Sequence, residues 1–189
     1  MATQPQTGLT YEDLLSFPED NFRRELIDGE LIVTAAPATR HQDVVLRLGA
    51  QLLAHCQQHG GRVFVAPTDV YLSESNVVEP DVLYLRPENA GRVETKLVRS
   101  APDVVIEVSS PSTRRLELVR KRAIYERFGV PEYWFIDLDA DRVEVHRLES
   151  GAYPIPVLFR RGDSLNSPQI PGFTLVVGDL LGPPEERES

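Results

Sequence analysis

Residues 101–109, APDVVIEVS, form the stretch that decides the fold. An apolar run of this length is typical of a β-strand buried at the centre of a sheet. It carries two acidic residues, Asp103 at its entry and Glu107 near its end. A carboxylate in such a strand is costly to bury unless it is paired or bound to a cation. The stretch therefore predicts the core of the domain and a polar site within it.

The segments on either side of this strand predict more strands. Short strands bounded by turn residues are expected at 62–66, 69–73, 80–85, 132–137 and 142–147. Upstream, Asp28 and Gly29 stand between two apolar pairs in RELIDGELIVT, the sequence pattern of a tight hairpin, with Glu25 on its first strand.

Helical periodicity appears in two longer segments. Apolar residues recur at helical spacing from Thr39 to His59, and Gly60 follows as a stop signal. A second helix is expected from Thr113 to Phe128, stopped by Gly129, and a short capped helix from Thr10 to about Pro18. These elements predict an α/β (α+β) fold in which a mixed central β-sheet is flanked by helices.

Length and composition limit the possible classes of protein. At 189 residues the chain fits one domain, expected over residues 1–181, with a disordered tail at 182–189. A net charge of -9 argues against a protein that coats nucleic acid by charge alone. We expect a cytoplasmic protein, because the sequence has no secretion signal and no apolar run of about 18 residues that could span a membrane. Cys56 is the only cysteine, which excludes an intramolecular disulfide.

Three acidic residues in or beside apolar strands are candidates for a metal site. Asp103 and Glu107 share a strand face but lie about 13 Å apart at ~3.3 Å per residue, too far to share one ion easily. Asp81 begins another strand and can lie beside Glu107 if the two strands pair. We therefore expect Asp81 and Glu107 to hold a Mg²⁺ ion, completed by a backbone carbonyl and waters. Asp103 fits a strand-entry position.

The segment after the central strand is basic. Residues 114–127 hold six Arg or Lys and two Glu, in a chain that is otherwise strongly acidic, and would attract a polyanion. Lys121 in this segment can form a surface ion pair with Glu117, four residues earlier on the helix. A Lys or Arg of the same segment can also turn to the carboxylates and stabilise an oxyanion. His41, at the start of the long helix, can cap that helix.

Several stretches resemble the Uma2-like (DUF820) family of restriction-type endonucleases. They are RELIDGELI (24–32), RHQDVVLRL (40–48), VVEPDVLYL (77–85), APDVVIEVSSPST (101–113) and KRAIYERFGVPEYWFID (121–137). Together they cover most of residues 10–140 in the expected order. The family is assigned to the PD-(D/E)XK superfamily, so the resemblance implies a restriction-endonuclease-like core and Mg²⁺-dependent phosphodiester hydrolysis. The resemblance also implies a role near the site for His41.

The resemblance also implies roles for individual residues. Asp81 and Glu107 match the metal-binding acids, with the backbone carbonyl of Val108 as a further ligand. Glu25 matches an early glutamate that holds a metal-bound water or a second ion. Because Ser109, and not lysine, stands two residues after Glu107, the resemblance places the catalytic lysine at Lys121 on the next helix.

These expectations describe an endonuclease that uses Mg²⁺, with Mn²⁺ as a substitute, to cut DNA, and that acts as a homodimer. Three alternatives stay open from the sequence. The domain can be a catalytically silent binding module, a phosphoesterase for a small substrate, or a structural homodimer that associates through the apolar run at 133–136, YWFI.

Overall fold

The computed structural model describes residues 7–18, 20, 22–34, 36–109 and 114–183, without the side chain of Glu117. The strands in this part of the chain are β1 (Arg23–Ile27), β2 (Glu30–Thr34), β3 (Arg62–Val65), β4 (Asp69–Ser73), β5 (Asn76–Val78), β6 (Val82–Leu85), β7 (Leu97–Arg99), β8 (Val104–Val108), β9 (Glu132–Asp137), β10 (Arg142–Arg147), β11 (Val157–Arg160), β12 (Ser164–Asn166) and β13 (Thr174–Val176). The α-helices are α1 (Tyr11–Leu15), α2 (Thr39–His59), α3 (Arg122–Arg127) and α4 (Val177–Leu181). A 3₁₀ segment lies at Pro87–Arg92 and a π-helical segment at Leu116–Lys121.

The predicted α+β class with mixed sheets is confirmed, but the strands divide between two main sheets. A six-stranded sheet has the order β11-β10-β9-β8-β6-β3, in which only the β8–β9 pair is parallel. A five-stranded sheet has the order β2-β1-β5-β4-β7. The hairpin β1–β2 pairs with β5 and so builds the second sheet, whereas we expected one central sheet. Strands β12 and β13 form a separate antiparallel pair.

The six-stranded sheet separates two apolar layers. On one face Val104 and Ile106 pack with Val44 and Leu48 of α2, and on the other Val105 packs among residues of α3 and the five-stranded sheet. This alternation follows from the period of two in a strand. Strand β8 is therefore covered on both faces, as the central position predicted from its sequence requires.

The apolar run 133–136 lies in β9, and all four of its side chains are 0% exposed. The proposal that it forms a dimer surface is wrong, because β9 lies between β8 and β10 with both faces covered.

The second predicted helix is irregular. Leu116–Lys121 is π-helical, and only Arg122–Arg127 continues as α-helix before Gly129, which has a φ of 75°. A π-helical turn inserts an extra residue per turn, so side chains four apart no longer lie directly above one another. The predicted start of this helix, at Thr113, lies outside the described residues.

The chain after Arg147 folds more than its sequence indicated. Strands β11, β12 and β13 and helix α4 were not predicted, and Leu165, Leu175 and Leu180 are fully buried in the layer that contains α2. Of the predicted tail, residues 184–189 lie outside the described part. None of the helices in the described part is both long and apolar enough to cross a bilayer.

Candidate active site

Strand register places Asp81 beside Glu107. Strands β6 and β8 are antiparallel, with Val82 opposite Ile106 and Leu83 opposite Val105. Asp81 comes one residue before Val82 and Glu107 one residue after Ile106, so the two acids lie at neighbouring positions on one face. Both are buried, with 2% and 0% exposure.

Glu25 and Lys121 reach the same place from other elements. Glu25 lies on β1 of the five-stranded sheet and is 1% exposed. Lys121 Nζ lies 2.8 Å from Glu25 Oε1 and 3.0 Å from Glu107 Oε1. Burial and Arg23 lower the pKa of Lys121, but Glu107, Glu25 and Asp81 raise it above its ordinary value. The ammonium therefore stays charged and joins the two sheets.

Arg23 is a member of this cluster that we did not predict. One of its terminal nitrogens donates to Asp81 Oδ1 at 2.8 Å, and the other lies 3.5 Å from Glu25 Oε1 and 3.7 Å from Glu107 Oε2. The sequence contained a signal for it. Arg23 stands two residues before Glu25, and residues two apart on a strand point to the same face. The predicted hairpin begins at Arg24, so it does not include Arg23 in the strand.

Asp81 is held in its charged form. Its Oδ2 accepts a hydrogen bond of 2.8 Å from the Val108 amide and lies 3.1 Å from His41 Nε2. Burial raises the pKa of Asp81, but His41 and Arg23 outweigh that effect and lower it to about 2. His41, whose role was open from the sequence, thus contacts the candidate site.

The pKa of Glu107 is shifted in the opposite direction to that of Asp81. Burial raises its pKa, and Asp81 raises it further, against the lowering effect of Lys121. The Tyr125 hydroxyl donates to Glu107 Oε1 at 2.5 Å. Tyr125 is buried, and it follows Lys121 by four residues, a spacing that brings both side chains to one side of a helix.

Two carboxylate oxygens of the cluster make no hydrogen bond to the described residues. Glu25 Oε2 and Glu107 Oε2 are buried and have no hydrogen-bond partner among the described residues. Carboxylate oxygens are the ligands that Mg²⁺ and Mn²⁺ prefer, so the donor set fits such an ion. The described part of the chain nevertheless contains no three acidic, His or Cys side chains that enclose an ion as they stand. Arg23 and Lys121 lie between the carboxylates.

Val108 stands where a backbone ligand was expected. Its amide points to Asp81, and in an extended strand the carbonyl of the same residue points to the same side. Asp103 lies elsewhere. It accepts from the Arg86 amide at 2.8 Å and from the Asn89 side chain, and so ties β8 to the 3₁₀ segment.

The basic segment 114–127 is not an open basic surface. Four of its arginines bind acidic side chains of this chain, in the pairs Arg114–Asp137, Arg120–Glu30, Arg122–Glu126 and Arg127–Asp28. Lys121 is buried. These ion pairs reduce the free positive charge of the segment, and its attraction for a polyanion stays a prediction.

A cleft of about 580 Å³ leads to the cluster. Asp81 and Arg23 line it, together with Asp69 and Glu79. Its outer wall is apolar and comes from the N-terminal region and α2; the residues are Leu14, Leu15, Phe17, Phe22 and Val45. Burial raises the pKa of Glu79 to about 7, against the lowering effect of Arg23. Of the cluster residues that line the cleft, Arg23 is the more exposed and Asp81 is nearly fully buried.

The fold and site define an α+β domain in which acids from paired central strands meet a lysine from the following helix. The chain belongs to the Uma2 family. The family model, described as "putative restriction endonuclease", matches residues 11–178. The resemblance found in the sequence is thereby confirmed.

A solved structure shares the fold. It is a crystal structure, described as a putative nuclease belonging to DUF820, from Anabaena variabilis ATCC 29413. It matches with a TM-score of 0.77 and 20% identity over 92% of this chain and 97% of that chain. The comparison with curated proteins gave no match.

Proposed function

We propose that this protein is a nuclease that hydrolyses phosphodiester bonds, with DNA as its substrate and Mg²⁺ as its cofactor. The observation that carries the proposal is the cluster itself. Asp81, Glu107 and Glu25 converge with Lys121 beside the cleft, and two of their buried carboxylate oxygens have no hydrogen-bond partner among the described residues. The family and the similar structure are both described as nucleases, which supports the same class of activity.

In this proposal Asp81 and Glu107 would hold the metal ion, together with the Val108 carbonyl. Such an ion lowers the pKa of a bound water and neutralises charge on a phosphate. Glu25 accepts a hydrogen bond from the attacking water and fixes its orientation. Lys121 donates to the oxygen on which negative charge develops, since its ammonium is charged and held rigidly by the surrounding acids.

The direct test is cleavage of a supercoiled plasmid and of single-stranded and double-stranded fluorescent oligonucleotides, with Mg²⁺, with Mn²⁺ and with a chelator. Asp81→Asn and Glu107→Gln, purified in the same way, control for contaminating nuclease. Cleavage that requires metal and is absent from both variants supports the proposal. Equal cleavage by the variants and the parent contradicts it.

A second candidate is a nuclease-like domain without activity that binds a partner. The ion pairs of the three carboxylates with Arg23 and Lys121 favour it, because these cations offset most of the acidic charge without a metal. This candidate predicts no Mn²⁺ binding by calorimetry at millimolar concentration. We further propose a homodimer, because nucleases with one site per chain that cut both strands often act as dimers, and most soluble oligomers are symmetric homo-oligomers; light scattering at micromolar concentration tests it.

A further inference from the structure

Arg23 is the part of the buried cluster that meets solvent. Its side chain is 22% exposed, whereas those of Glu25 and Glu107 are 1% and 0% exposed. Arg23 lines the cleft and its guanidinium contacts both of these acids as well as Asp81. The Arg23 side chain therefore lies between the cleft and the inner carboxylates, Glu25 and Glu107, which do not line the cleft.

The Arg23 guanidinium makes few hydrogen bonds for a group that lies among several acids. It makes one hydrogen bond of 2.8 Å, to Asp81, while its Nε and one terminal nitrogen are buried without a hydrogen-bond partner in the described part of the chain. Its distances of 3.5 and 3.7 Å to Glu25 and Glu107 exceed those of normal hydrogen bonds. Charge, more than geometry, holds it there.

Arg114 shows what a fixed arginine looks like in this fold. Its two terminal nitrogens donate to the two oxygens of Asp137, at 2.5 and 2.7 Å, in the paired geometry that guanidinium and carboxylate favour. Arg23 does not adopt this geometry with any one acid. Another cation can therefore take the place of Arg23 among the acids.

We propose that Arg23 is a displaceable counter-ion of the active site. A divalent metal ion that enters from the cleft would be held by Asp81 and Glu107, beside Glu25, and would displace the Arg23 guanidinium from the cluster into the cleft. The inference rests on the proposed function, because it takes a metal ion as the cofactor. Arg23 keeps the carboxylates neutralised before the metal arrives, and it sets the affinity for the metal because the two cations compete for the same oxygens.

Calorimetric titration of Mn²⁺ into the full chain tests this competition without any measurement of cleavage. Arg23→Gln removes the competing charge and should bind Mn²⁺ at least tenfold more tightly than the parent. Arg24→Gln is the matched control, since Arg24 lies on the same strand and lines the same cleft but pairs with Asp20. Its affinity should stay within about threefold of the parent, the effect of a remote, screened charge.

Two further measurements cover the case in which Arg23→Gln folds poorly. Without the guanidinium, three buried acids face Lys121 alone, so Mn²⁺ should raise the melting temperature of Arg23→Gln more than that of the parent. Arg23→Lys retains the charge and should stay close to the parent in Mn²⁺ affinity. A variant that folds with Mn²⁺ but not with Na⁺ supports the proposal in the same way.

The contrary results are distinct. If the parent and Arg23→Gln bind Mn²⁺ equally, or Arg23→Gln binds more weakly, Arg23 does not compete with metal and this inference fails while the metal site stands. If no variant binds Mn²⁺ and none is stabilised by it, the inference fails together with the metal-dependent function.

Discussion

Two groups of buried acids in this protein differ in how their oxygens are used. Glu132 and Asp137, at the two ends of β9, are both 0% exposed. Arg147 donates to one Glu132 oxygen at 2.7 Å, and Trp134 and Ser167 donate to the other. Arg114 donates to both Asp137 oxygens. Glu25 and Glu107 are buried to the same degree, yet each has one carboxylate oxygen that makes no hydrogen bond to the described residues.

The difference separates a structural acid from a site. Burial of a carboxylate is costly in both cases, and for Glu132 and Asp137 the fold offsets that cost with dedicated donors. The Glu25 and Glu107 cluster is only partly compensated, and Arg23, one of its two cations, lines a cleft. Burial alone thus does not distinguish the candidate site from a structural acid; the buried oxygens without a hydrogen bond do.

The largest expected effect is on metal binding. Glu107→Gln should reduce Mn²⁺ affinity at least 100-fold, because it replaces a charged ligand at the centre of the cluster by a neutral one. Glu132→Gln, which makes the same change at an equally buried position, should leave the affinity unaltered. Calorimetric titration of both variants checks this; equal losses would mean that the two groups are not distinct.

For the free energy of unfolding, we expect the larger effect from Glu132→Gln and the smaller from Glu107→Gln. Glu132→Gln should lower the free energy of unfolding by about 3 kcal/mol, since it leaves the Arg147 guanidinium without its charged partner. Glu107→Gln should change it by less than about 1 kcal/mol, because removing one of several crowded acids also relieves repulsion. Urea denaturation followed by Trp134 fluorescence measures both. A larger loss for Glu107→Gln would make Glu107 the structural acid.

Lys121 should separate catalysis from binding. Lys121→Ala should slow DNA cleavage by about 10² or more, the size expected for one lost donor to a developing oxyanion. Mn²⁺ affinity should not fall, because lysine is not a ligand and its removal takes away a positive charge beside the acids. The matched control is Lys96→Ala, which changes the other lysine of the chain at an exposed position. Unchanged cleavage by Lys121→Ala would return Lys121 to a purely electrostatic role.

The smallest effect concerns pH. Burial raises the pKa of Glu79 to about 7 in the folded protein, above its ordinary 4.5. The folded state therefore holds a proton that the unfolded state has lost, and the free energy of unfolding should fall as pH rises from about 4.5 to about 7. Glu79→Gln should flatten this dependence by on the order of 1 kcal/mol. Urea titrations across that range test it, and identical pH profiles for the two proteins would contradict it.

Much of the site was accessible from local sequence pattern. Asp81 and Glu107 stood out because an acid inside an apolar strand needs a partner, and strand spacing argued against Asp103. Glu25 and Lys121 came from the family resemblance. Arg23 and Tyr125 were missed, although the spacings of two and four residues to Glu25 and Lys121 already placed them on the same faces.

The sequence by itself determined the alternating faces of the strands, the long helix α2, the tight turn at Asp28 and Gly29, and the buried position of β8. These follow from local rules of backbone geometry and apolar periodicity. Only the tertiary structure decided that β1 joins a second sheet, that a π-helical segment precedes α3, and that Arg23 lies among the three acids. These features depend on contacts between residues far apart in the chain. The charges that surround Arg23 come from strands of two different sheets, so only the packing of those sheets brings them together.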